Sequence, residues 1–128
     1  MVSRMIAVVG IALLPMAGLA EGARKILDCQ VVRVCDAAGA CKPDSSRVVF
    51  TMEPIELEFA GAGEYSISYA DEQAKMRAES DSGPFLWNLG QERNASIANS
   101  EKQWLWHQLG FDPGPEAAIR FLECSFQQ

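Results

Sequence analysis

Basic clusters are missing from this 128-residue chain: it holds 11 Lys and Arg against 17 Asp and Glu, and its densest basic point is Arg24-Lys25. Phosphate backbones need several cations on one face, so this composition excludes nucleic acid as an expected partner. Anionic lipid is disfavoured for the same reason. Histidine occurs once, at His107, and no obvious nucleophile accompanies it. No Gly-x-Ser-x-Gly, His-Glu-x-x-His or glycine-rich phosphate loop is present, so the common hydrolase and nucleotide signatures are absent. Cys-x-x-Cys is also missing, which argues against a redox-active pair. Dependable helical periodicity, internal repeats and low-complexity stretches do not occur.

Residues 1–20 are a different matter. Arg4 precedes an uncharged, mostly apolar run from Met5 to Ala20, which closes on the small residues Gly18 and Ala20. That order is the signature of a cleavable secretory signal peptide, with the mature chain beginning at Glu21. Pro15 interrupts the run, which is shorter than the ~20 apolar residues a membrane helix needs. No cysteine stands directly after the expected cut, the nearest being Cys29, so a lipoprotein is not indicated. The expectation is a periplasmic or secreted protein with no stable membrane span, its mature residues 21–128 forming one domain. Removing the signal takes one Arg and no acid, so the mature chain is more acidic still.

Four cysteines, at 29, 35, 41 and 124, all lie beyond the signal. An even number in a short exported chain indicates a disulfide framework. Of the three possible pairings, Cys35–Cys41 with Cys29–Cys124 is favoured. Asp36 to Ala40 is a small-residue segment that turns easily, and the second bridge would join the first strand to the last. The competing reading is zinc, because Cys29, Cys35 and Cys41 are evenly spaced and His107 offers a fourth ligand. Structural zinc sites prefer two to four residues between paired cysteines rather than five, so no metal is expected.

From Cys29 onward the apolar period is two. Strands are expected at Cys29–Asp36, Ser46–Glu53 (ending at Pro54), Ile55–Phe59, Tyr65–Tyr69, Phe85–Leu89, Arg93–Ser100 centred on Ile97, Lys102–Phe111 and Ala117–Phe126. In Ile55–Phe59 the alternation places Ile55, Leu57 and Phe59 inward, with Glu56 and Glu58 on a solvated face. Asp71–Glu79 also fits a short helix behind an Asp71 cap, but its neighbours favour a strand. Eight or nine short strands with tight turns predict an all-β antiparallel meander, stapled by disulfides and closing into a barrel or sandwich.

Catalytic residues and cofactors are not indicated. The tentative binding residues are Trp87, Trp104, Trp106 and His107. Trp104 and Trp106 share one face of their strand, and Leu105, His107 and Leu109 the other, so both faces carry bulk. One face fills the barrel; the other is covered, exposed or turned to a partner. The first functional reading is therefore a monomeric, non-catalytic binding or inhibitor-like module acting on a periplasmic protein. Two alternatives are a carrier of a small apolar ligand, with a cavity lined by Ile55, Leu57, Phe59 and Trp87, and a hydrolase using His107 as base. The sequon Asn94-Ala95-Ser96 marks a surface glycan only in a eukaryotic secretory route.

The segments Gly83-Pro84-Phe85-Leu86-Trp87, Trp106-His107 and Arg120-Phe121-Leu122-Glu123-Cys124 resemble those of small exported alphaproteobacterial proteins of unknown function. That resemblance implies a periplasmic location and no particular activity. Trp87-Asn88-Leu89-Gly90 is also similar to the Trp-x-x-Gly segment of the periplasmic inhibitors of c-type lysozyme. That likeness implies a small antiparallel barrel with a bridge between its ends. The Ser-Gly-x-x-Tyr loop of those inhibitors is not matched, since Ser82-Gly83 is followed by Pro84-Phe85.

Overall fold

The computed structural model describes residues 10–11, 24–110 and 116–127; the expected signal segment falls almost entirely outside them, as do Phe111, the expected end of a strand, and the expected break at 112–115. Nine strands follow in order: β1 (Lys25–Asp36), β2 (Cys41–Pro43), β3 (Arg47–Leu57), β4 (Gly63–Tyr69), β5 (Glu72–Ala78), β6 (Phe85–Leu89), β7 (Glu92–Ala98), β8 (Gln103–Gly110) and β9 (Glu116–Gln127). Every neighbouring pair is antiparallel, and β1 pairs with β9, so eight strands close a barrel. The short β2 is the extra strand, continuing along β1 where β3 has not yet begun. Residues 71–79 resolve to strand: β5 pairs with β4 along its whole length.

Both expected disulfides form. Cys29 pairs with Cys124 across the β1–β9 seam, and Cys35 with Cys41 across the β1–β2 hairpin. Between the latter two, the Asp36 carboxylate accepts from the amides of Ala38 and Ala40 and shapes the turn.

An eight-stranded barrel is just wide enough for side chains to fill it. Here Phe50, Tyr69, Trp87 and Trp106 meet near one end, with ring centroids 5.1–6.3 Å apart. Phe85 stacks on Trp104 at 5.5 Å toward the other. Leu27, Val31, Met52, Ile67 and Met76 occupy the space between. The largest aromatic side chains and most of the aliphatic core are thus inside. Among the described residues, no helix is long and apolar enough to cross a membrane.

Two expectations about β3 are corrected. Pro54 does not end the strand, because it lies just past Met52, where β1 stops pairing and a missing amide costs no ladder bond on that side. Ile55, Leu57 and Phe59 do not point into the barrel; they are 56%, 46% and 85% exposed. The register slips at Ile55, where Pro54 faces Tyr65 but Glu56 already faces Glu64. Among the described residues, β4 is the strand that pairs with Glu53–Leu57, and Arg24 forms an ion pair with Glu53, so alternation continues past the end of the β1 ladder.

The β3–β4 connection is tight. Ala60 (φ 51°) and Gly61 (φ 79°) both take left-handed conformations, as a two-residue hairpin turn requires. The Tyr65 hydroxyl donates to the Gly61 carbonyl at 2.7 Å, and Arg77 donates to both Glu58 carboxylate oxygens at 3.1 Å. The hydrogen bonds and charge of Arg77 hold the Glu58 carboxyl below its ordinary value of 4.5. A depressed folded-state pKa adds stability above 4.5 that is lost as the pH falls through the lower folded value. Glu58 is therefore expected to titrate below 4.5 by NMR in the folded chain, and to return towards 4.5 in Arg77→Gln.

Candidate functional site

The barrel wall has an outer face with a phase of its own, and on β5–β9 that face is largely apolar. Register places Glu64, Arg77, Leu86, Ala95, His107 and Ile119 in one row across six strands. A neighbouring row holds Arg93, Leu109 and Ala117. Ala95 and Ala117 are small, so the surface sinks between Leu86, Leu109 and Ile119 into a groove of about 810 Å3. Lys75 stands at its border. Leu86 is 43% exposed, and Ile97 and Phe121 extend the apolar surface to one side.

The charge in this groove runs against the whole. Three of its four charged residues are cations (Lys75, Arg77 and Arg93, against Glu64), in a chain with a formal charge of −6. A second groove, of about 1020 Å3, lies over the Cys29–Cys124 bridge and is polar, with both signs intermixed. Its Asp28 already accepts from Arg47 at 2.6 and 2.7 Å and from Gln127 at 2.9 Å.

Of the expected binding residues, His107 and Trp87 line this groove, His107 exposed on the outer face and Trp87 only 3% exposed. His107 has Ala95 and Ile119 opposite it on the flanking strands and Leu105 and Leu109 beside it on its own. A general base needs a nucleophile or carboxylate within reach, and these neighbours supply neither. Trp87, Trp104 and Trp106 are 3%, 3% and 6% exposed and pack in the interior. The cavity expected from Ile55, Leu57, Phe59 and Trp87 does not form either, since the first three lie outside and the fourth packs against other rings.

Sequence reasoning also missed a polar set pointing inward at one end of the barrel. Trp106 Nε1 donates to Asn94 Oδ1 at 2.9 Å, and Asn94 Nδ2 donates to Glu92 Oε1 at 3.1 Å. Gln108 donates to the same Glu92 oxygen at 2.9 Å and accepts from Arg120, whose guanidinium lies 5.1 Å from the Trp106 ring. Trp87 Nε1 donates to the Tyr69 hydroxyl at 3.1 Å. Burial raises the Tyr69 pKa, against the opposing effect of that bond. These groups satisfy one another, as buried polar groups must. Trp104 Nε1, by contrast, is buried with no hydrogen-bond partner among the described residues.

Asn94 is 4% exposed and engaged on both sides of its amide, so its sequon is closed in the folded chain. The expected centring of β7 on Ile97 is reversed: Ile97 is 41% exposed, while Asn94 and Ser96 face inward. Among the described residues, no three His, Cys, Asp or Glu side chains are grouped to hold a metal ion. No family model, curated protein or solved structure matches the chain, so the groove is read from its own residues.

Proposed function

We propose that this chain is an exported, non-catalytic binding or inhibitor-like module that holds a segment of a protein partner in the β5–β9 groove. The observation that carries the reading is the groove itself, apolar and bordered by cations on an otherwise acidic chain. A filled interior turns binding to the outside. Buried interface centres rich in apolar contacts with a charged rim are how protein surfaces recognise one another. Two disulfides fit a periplasmic or secreted location, where such bridges persist.

Immobilised protein exposed to c-type lysozymes and to periplasmic extract is expected to retain a partner that Leu86→Glu does not retain. Leu86 points outward, so this change leaves the fold intact while placing a charge in the groove. Retention of nothing by the unaltered chain, or equal retention by the variant, overturns the proposal.

A further inference from the structure

We infer that the groove's resident occupant is the β3–β4 hairpin of a second copy of this chain, an inference that rests on the groove reading above. Among the described residues, the hairpin carries a concentrated set of exposed apolar side chains. Ile55, Leu57 and Phe59 expose 56%, 46% and 85% of their surface within five residues. Its turn is braced by Tyr65 on Gly61 and by Arg77 on Glu58, so little freedom remains to be lost on docking.

Charge decides where such a knob fits. No Lys, Arg or His occurs between Arg47 and Lys75, and the hairpin carries Glu53, Glu56, Glu58 and Glu64. Glu56 and Glu64 stand directly opposite across the ladder; Arg77 faces Glu64 from its other side, and Glu53 and Glu58 pair with Arg24 and Arg77, so Glu56 is the acid an approaching cation would serve most. Two such hairpins repel each other, and an anionic membrane repels both. The β5–β9 groove offers the complement on the same molecule: apolar side chains around Leu86 and Ile119, with Lys75 and Arg93 beside them. Phe59 is open to solvent in the single chain, so it does not sit in its own groove.

The apolar residues of the knob (Ile55, Leu57, Phe59) and of the groove (Leu86, Leu109, Ile119) are different sets that adjoin at Glu64 and Arg77, and each copy carries one of each; the contact made twice closes a two-fold pair, and made head to tail it gives a growing chain. This replaces the expected monomer, and an outside partner then competes with the hairpin for the groove.

Sedimentation velocity of the disulfide-intact protein, from micromolar to millimolar concentration, tests it with two surface variants. Phe59→Asp spoils the knob and leaves the groove; Leu86→Glu does the reverse. The unaltered chain is expected to exceed the monomer mass as concentration rises, and less so in high salt, which screens the charges. Each variant alone is expected to stay monomeric, with an unchanged circular dichroism spectrum. Their equimolar mixture regains association, limited to pairs, because each pair retains one good knob and one good groove.

A chain that is monomeric throughout overturns the inference, as does a variant that still associates alone. Association that the mixture fails to restore also overturns it, since an intact knob and an intact groove would then be present together without binding. If the chain is monomeric while Leu86→Glu still loses a captured partner, the second copy is ruled out and the groove reading stands.

Discussion

Trp106→Ala is expected to lower the unfolding free energy by about 3–5 kcal/mol, the range for removing a buried aromatic side chain. Three terms act together. The ring is 6% exposed and touches Phe50, Tyr69 and Trp87 at centroid distances of 5.2, 5.5 and 6.3 Å. Its indole N–H satisfies Asn94 Oδ1, which would lose that donor in a buried position. Its face also carries the Arg120 guanidinium. Trp106→Phe keeps most of the ring contact and loses the N–H, so it should cost about 1–3 kcal/mol. The adjacent His107→Ala points outward and should change stability by no more than about 0.5 kcal/mol. Urea unfolding of the three variants, with the m-value followed, checks the series. Equal costs at positions 106 and 107 would contradict a filled interior.

Removing the Cys29–Cys124 bridge by double substitution to alanine is expected to cost about 4–5 kcal/mol. The bridge closes a loop of 95 residues, and the chain-entropy relation gives a value of that size for loops near 100. The same relation gives only about 2 kcal/mol for Cys35–Cys41, whose separation is 6. The difference is large against the total stability of a small domain, about 5–15 kcal/mol. The ladder between β1 and β9 remains in the variant, so the barrel is weakened at its seam rather than redesigned. Guanidinium unfolding of the two double-alanine variants is the measurement, and a long bridge worth no more than the short one would contradict the ranking.

Much of this architecture is written locally. The two-residue period from Cys29 to Phe126 yields antiparallel strands, and turn residues such as Gly61, Asp71 and Gly90 mark where the chain reverses. Compact turns and a seam bridged by Cys29 and Cys124 make a closed meander the simplest outcome. The candidate site was far less legible. Leu86 sits between Phe85 and Trp87 in an apolar run, and periodicity alone does not reveal that it alone of the three faces outward. Its strand mate Asn88, in the same phase, was the available signal. His107 is exposed on its strand, while Trp104 and Trp106, in the opposite phase, are buried.

The sequence by itself determined the all-β class, the antiparallel order, the tight turns and the short reach that favours Cys35–Cys41. Each of these depends on neighbours along the chain or on the reach of a short loop. Only the tertiary structure decided which phase of each strand faces inward. A strand's alternation defines two faces equally well, and the choice belongs to the strands on either side. Ser96 and Asn94 turn inward because they pair with Trp106 and Gln108, and Ile97 is carried outside with Leu105. Ile55, Leu57 and Phe59 alternate as a core strand does, yet they lie beyond the last residue that β1 covers. Burial is a property of what lies opposite, and for these residues nothing in the described chain does.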